Sequence, residues 1–196
     1  MKQQDVIDFF NRCAPWWDED MVCDEEIISI ILNNGGIKQG VDVLDVACGT
    51  GVLFGDYLKR GVSSVTGIDI ADKMAQIAAS KYPEVKVICG DVEKAVFDQK
   101  FDCVMVYNAF PHFPDPERLV AALAKLVKPG GKLSVAHGMS RADLLRHHSG
   151  IARSVSIELL PEQELAEIFS RWFDVDVVIS NERMYQVSGI RRSSGV

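Results

Sequence analysis

Short runs of β-branched and apolar residues alternate along this chain with longer stretches of helical spacing, and that alternation restricts its possible folds more than any other feature. The short runs cover residues 41–47, 64–70, 85–88, 101–107 and 132–137, and helical spacing marks 52–60, 71–82 and 116–127. Strands that alternate with helices form parallel βαβ units, so the chain is predicted to be an α/β protein with a doubly wound sheet. Cys103-Val104-Met105-Val106 is apolar at every position, as befits a strand covered on both faces. The ends depart from this rhythm. Residues 5–13 and 25–33 read as helices joined by Pro15-Trp16-Trp17, and Leu160-Pro161 opens a further helix to about Arg171, with Pro161 in its first turn. Residues 173–179 and 183–190 then read as an antiparallel hairpin turning at Ser180-Asn181-Glu182. No repeat, low-complexity run or linker interrupts the chain, which indicates one domain over residues 1–196, frayed beyond Arg191.

The segment Val43-Leu44-Asp45-Val46-Ala47-Cys48-Gly49-Thr50-Gly51 carries a strand into a glycine turn and then a helix. Glycines at such a turn let backbone approach a ligand at the carboxyl edge of the sheet, where doubly wound folds bind nucleotides. A dinucleotide fingerprint would place glycine or alanine at position 54, where Phe54 stands instead. Asp45, just ahead of the turn, would repel a pyrophosphate and attract an ammonium or sulfonium group. The loop therefore suits a cationic nucleoside without phosphates, a description that S-adenosylmethionine meets. Two further acids end the next strands: Asp69, eighteen residues beyond Gly51, and Asp91 after Gly90. The first stands at the separation at which an acid meets a ribose diol, and the second could accept from an adenine amine. Each taken alone is equally readable as a loop aspartate or a helix N-cap.

Charge and cysteine usage narrow the function classes. Of the 196 residues, 21 are lysine or arginine and 28 are aspartate or glutamate, a formal charge of −7 that disfavours nucleic-acid binding. The five cysteines are scattered singly, without a Cys-x-x-Cys pair, so neither a disulfide framework nor a metal site is expected. The polar start lacks a secretory apolar core, and the apolar stretch 27–32 is far shorter than the roughly 20 residues that span a bilayer. These features predict a cytoplasmic setting without a membrane span.

Over roughly residues 40–138 the sequence resembles the class I S-adenosylmethionine-dependent methyltransferases. The glycine-rich first motif of that family is matched by 43–51, its acidic second motif by 67–74, its Gly-Asp third motif by Gly90-Asp91 and its fourth by 101–108. Leu126-Val127-Lys128-Pro129-Gly130-Gly131-Lys132-Leu133 is also typical of it. The resemblance implies a Rossmann-like seven-stranded sheet with an antiparallel C-terminal hairpin. It also implies S-adenosyl-L-methionine as cofactor, S-adenosyl-L-homocysteine as product, and methyl transfer to a small-molecule acceptor. By the same carry-over, Asp45, Ala47, Gly49 and Gly51 line the methionine end, with Thr50 and Cys48, a departure read as a small filler, also among the cofactor-binding candidates; Asp69 holds the ribose, and Asp91 with Val92 holds the adenine. Ile70 and Met74 pack on the base, with Asn108 at the end of the fourth motif; plain core packing is the other reading of Ile70 and Met74. Near the N-terminus Phe10, Ala14 and Trp17-Asp18 match a segment of the quinone-modifying methyltransferases, which implies that residues 1–38 form a helical lid over the site.

Methyl transfer requires alignment of nucleophile, methyl carbon and sulfur, with water excluded. The acceptor-side candidates lie after the fourth and fifth strands, on 107–116, 136–141 and 146–150, and residues 139–190 are read as acceptor-side helices with the C-terminal hairpin. His112 is a candidate base or, alternatively, a hydrogen-bonded loop histidine that shapes the pocket. His137 is a weaker catalytic candidate. Phe10, Trp17, His112, His137, Arg141, His147 and His148 are candidate acceptor contacts, with core packing or a solvated face as the alternative for each. The histidine spacing does not predict a metal site. Two other functions fit the residues less well: a non-catalytic S-adenosylmethionine-binding regulator and a nicotinamide-dependent oxidoreductase.

Overall fold

The computed structural model describes residues 1–19, 23–148 and 154–193, and for His147 and His148 the backbone alone. Seven strands form one mixed sheet: β1 (Asp42–Val46), β2 (Ser64–Asp69), β3 (Lys86–Cys89), β4 (Phe101–Tyr107), β5 (Val127–His137), β6 (Phe173–Ser180) and β7 (Tyr185–Arg191). Their order across the sheet is β3-β2-β1-β4-β5-β7-β6, with β7 antiparallel to both neighbours and all other pairs parallel. Helices α3 (Phe54–Lys59), α4 (Asp72–Lys81) and α5 (Pro116–Leu126) make the crossovers between parallel strands. The chain is preceded by α1 (Gln3–Cys13) and α2 (Glu25–Asn34), and α6 (Arg141–His148) and α7 (Glu162–Phe169) lie between β5 and the final hairpin. This is the predicted doubly wound sheet with its antiparallel hairpin.

The central strands are apolar on both faces because both faces are covered. Val43, Leu44 and Val46 of β1 and Val104, Met105 and Val106 of β4 are at most 1% exposed. Leu119, Val120 and Leu123 bring α5 onto one side, and Ile27, Ile31 and Leu32 of α2 join the cluster on the other. Phe54 takes up the space of two missing side chains. A Cβ at Gly51 would lie 2.7 Å from its ring, and one at Gly67 would lie 2.4 Å from it.

Among the boundaries that moved, three did so for a reason visible in the structure. Strand β5 begins at Val127 rather than at 132, because Val127 already pairs with Phe101 before the register shifts to Cys103 with Lys132. The intervening turn uses Gly130 at φ +77, and a Cβ at Gly131 would meet the Asp102 carbonyl at 2.7 Å. Helix α3 starts at Phe54 rather than at 52, since Gly51 N–H bonds back to Cys48 O and Phe54 N–H to Gly51 O, which extends the turn. Helix α7 is confined to Glu162–Phe169, with Pro161 outside it in an extended conformation at ψ 143.

Candidate active site

The carboxyl ends of β1, β2, β3 and β4 converge on a cavity of about 740 Å³, within the range of small-molecule sites of roughly 300–1,000 Å³. Its walls include Asp45, Ala47, Cys48, Gly49, Thr50, Asp69, Ile70, Met74, Asp91, Val92 and Asn108, so the sheet edge brings these candidates together. Two non-glycine residues, Ala47 and Asn108, adopt left-handed backbone at φ 53, and both stand where a strand breaks off into the cavity wall. Such a conformation costs about 1–2 kcal/mol for an ordinary residue. At Asn108 it is held by two bonds to the next strand end: Gly138 N–H donates to its Oδ1 at 3.0 Å, and its own N–H donates to Ala136 O at 2.9 Å.

Each of the three acids has a different environment. Asp45 is 2% exposed, lines the cavity, and its Oδ2 has no hydrogen-bond partner. Burial pushes its carboxyl up to about 8, with the neighbouring Tyr57 hydroxyl opposing the rise and the Asp69 charge adding to it. Asp69 accepts from Gly49 N–H at 2.8 Å and from Ala71 N–H at 2.8 Å, so it ties the glycine turn to the start of α4. Burial raises its carboxyl also, against those backbone donors. Asp91 accepts from Gln3 Nε2 at 2.9 Å, from Glu93 N–H at 3.0 Å and from the Lys94 ammonium at 2.9 Å. Burial acts to raise Asp91, yet these donors outweigh it and hold the carboxyl below the ordinary range.

The N-terminal helix packs over this edge. Val6, Phe10 and Trp17 line the cavity, and Phe10 meets Trp17 edge-on at 5.5 Å and His112 at 4.8 Å. Polar ties hold the segment down. Asn11 donates to Asp72 at 2.6 Å and accepts from Lys73 N–H at 3.0 Å, while Asp18 accepts from the Thr50 hydroxyl at 2.5 Å and from Lys81 at 2.7 Å. The Phe10, Ala14 and Trp17-Asp18 pattern thus spans two functions in space, an apolar cover and a latch on Thr50.

His112, in the 3₁₀ turn Phe110–His112, also lines the cavity. Its Nδ1 lies 2.8 Å from Val155 O, which can only accept, so this bond requires the proton on Nδ1. Three candidates are placed elsewhere. His137 is wholly buried against Tyr185, with which it pairs across β5 and β7, and does not line the cavity. Arg141 lies outside the cavity lining too, because its guanidinium donates to Leu159 O at 2.9 Å and to Glu158 at 2.8 Å, a bracket between two chain segments. Gly51 faces Phe54 rather than the cavity, so its missing side chain serves helix packing. The side chains of His147 and His148 fall outside the described residues. Among the described residues no three His, Cys, Asp or Glu side chains gather as a metal site would require. Sequence reasoning missed Gln3, Asn11 and the role of Tyr57. Tyr57 stands three residues after Phe54 on the buried face of a short helix, a spacing that signals burial but not its neighbour Asp45.

A 3-2-1-4-5-7-6 sheet with a glycine turn after its first strand and acids at three successive strand ends defines the class I methyltransferase fold. Residues 44–135 match the family model described as a methyltransferase domain. It is 36% identical over 100 residues to a ubiquinone biosynthesis O-methyltransferase of Coxiella burnetii, a match covering 48% of this chain and 42% of that protein. It is 37% identical over 138 residues to the enzyme of the same name from Chromobacterium violaceum, covering 64% of this chain and 59% of that one. The chain thus spans about half the length of the curated relatives it matches. The N-methyltransferase NodS of Bradyrhizobium japonicum WM9, solved with S-adenosyl-l-homocysteine, shares the fold at a TM-score of 0.73 and 14% identity, covering 97% of this chain and 98% of that one.

Proposed function

We propose that this chain is an S-adenosylmethionine-dependent methyltransferase acting on the hydroxyl of a small, partly apolar acceptor in the cytoplasm. The observation that carries the reading is Asp45, a buried carboxyl with an unpartnered oxygen in the wall of a large cavity at the glycine turn. A group so placed rejects phosphates and favours a cation. When bound, S-adenosylmethionine supplies a methyl group on a positive sulfur, which leaves with the carbon–sulfur electron pair as a neutral thioether. The chain's own residues supply the rest. Asp45 faces the ligand's positive end, Asp69 keeps lone pairs for ribose hydroxyls while it braces Gly49, and Ile70, Met74 and Val92 offer apolar walls to the base.

The curated relatives are named as O-methyltransferases, which favours an oxygen nucleophile here. A hydroxyl must lose its proton as it attacks, and His112, in the cavity wall, is the residue we assign as base. Phe10, Trp17 and Phe113 suit an aromatic or apolar acceptor and exclude water from the reacting atoms. Among the described residues no helix is long and apolar enough to cross a membrane. All five cysteines are free, which accords with a reducing compartment.

Titration calorimetry with S-adenosylhomocysteine, followed by a homocysteine-release assay over a panel of phenols and catechols, tests this reading. Binding and turnover are expected; a protein that does not bind S-adenosylhomocysteine refutes it, and one that binds yet turns over no acceptor is a regulator. His112→Gln should lower turnover about 100-fold while S-adenosylhomocysteine binds as before. Full activity in that variant removes His112 from the mechanism.

A further inference from the structure

Tyr57 has no task in the reading above, yet its surroundings single it out. It is among the largest wholly buried side chains, it sits on α3 beneath the glycine turn, and its hydroxyl neighbours the Asp45 carboxyl. Burying a phenol is unfavourable unless its O–H finds an acceptor. The alignment is poor: the hydroxyl lies close enough to favour the carboxylate, but neither it nor Asp45 Oδ2 makes a hydrogen bond of full geometry. The other titratable groups facing the pair are all acidic. They are Asp69 from β2, Cys48 from the turn and Cys103 from β4. Among the described residues, no lysine, arginine or histidine contributes to the shift of Asp45.

A carboxylate closed off from water with another acid beside it and no cation at hand keeps its proton. A ligand bearing an ammonium or sulfonium group supplies the missing cation, and in a medium of low dielectric its attraction is large. We propose that capture of the cationic nucleoside is coupled to expulsion of one proton from Asp45, with Tyr57 as the positioning residue that sets this coupling by donating its hydroxyl to the carboxylate formed. The inference rests on the function proposed above. The step balances: the carboxylic acid becomes a carboxylate, its proton passes to solvent, and the ligand's positive charge replaces it. The upward shift of Asp45 places the exchange at neutral pH. Tyr57 stabilises the ionised form and so limits the proton's hold, and this makes cofactor affinity a function of pH across the range 6 to 8.

The test is calorimetric titration of the full chain with S-adenosylhomocysteine, in phosphate and in Tris, at pH 6, 7 and 8. The two buffers differ in ionisation enthalpy, so the difference in apparent heat counts protons. Close to one proton is expected to leave at pH 6 and 7 and about half a proton at pH 8, with affinity rising about ninefold from pH 6 to 7, about fivefold more from pH 7 to 8, and levelling only above that. 5′-Methylthioadenosine, which lacks the ammonium group, should bind without proton release, and Asp45→Asn should bind S-adenosylhomocysteine without it. Tyr57→Phe should move the bend of the affinity profile to higher pH, a change that loss of packing does not produce. The wild-type count decides the matter even where a variant fails to fold. Binding without proton release overturns the coupling and leaves the proposed function standing, whereas absence of binding overturns both. A bend unmoved by Tyr57→Phe overturns the role of Tyr57.

Discussion

Replacing Asp45 by asparagine preserves the shape of the side chain and removes its titration, which isolates what one buried carboxyl does to stability. In the folded chain burial lifts this group from its usual value near 4 to about 8. The folded state therefore holds a proton that the unfolded chain releases, so stability falls as pH rises from about 4 through about 8. Each pH unit inside that window is worth about 1.4 kcal/mol. Between pH 5 and 7 the wild-type chain should lose about 3 kcal/mol more than the Asp45→Asn variant. Urea unfolding at pH 5, 6 and 7, followed by the fluorescence of the three tryptophans, reads this difference directly. With a denaturant slope of about 2 kcal/mol per molar, the gap between the two midpoints should change by about 1.5 M over the series. The raised Asp69 contributes to both proteins and largely cancels in the comparison. Midpoints that stay a constant distance apart at all three pH values would refute the reasoning, since Asp45 would then be no less easily ionised than in the unfolded chain.

Two further substitutions probe how the site is assembled. Gly51→Ala places a methyl group 2.7 Å from the Phe54 ring on backbone at φ +82, whereas Gly49→Ala, at φ +56, meets nothing nearer than Trp17 at 3.9 Å. Gly51→Ala should therefore lower the melting temperature by more than the 2–8 °C expected of left-handed strain of about 1–2 kcal/mol, and Gly49→Ala should remain within it; the reverse ranking by calorimetry contradicts the packing role of Phe54. Asp18→Ala removes the acceptor that holds Thr50 at 2.5 Å and Lys81 at 2.7 Å. Initial rates should show a several-fold rise in KM for S-adenosylmethionine with a smaller change in kcat, and an unchanged KM detaches the N-terminal segment from the cofactor side.

Much of the architecture was legible because hydrophobic periodicity and turn chemistry are local. The span of β4, Phe101–Tyr107, follows from an apolar run broken only at Asp102, and α4 and α5 from helical spacing between turn signals. The early start of β5 was not legible, because Val127 becomes a strand residue only through Phe101, twenty-six positions earlier. The histidines divide in the same way. His137 ends β5 and His112 follows β4 by five residues, but the Val155 carbonyl holds His112 at the cavity while the pairing of β5 with β7 turns His137 into the core.

The order of elements, the glycine turn and the three acids at strand ends are each encoded within a few neighbouring residues. What those acids do depends on contacts that folding brings from distant segments. Asp91 is engaged by Gln3 from a helix 88 residues away, Asp69 braces the turn, and Asp45 is left with Tyr57 and no cation. Ionisation depends on solvent, charge and donors gathered from distant segments within a few ångströms, and a linear sequence does not state those distances.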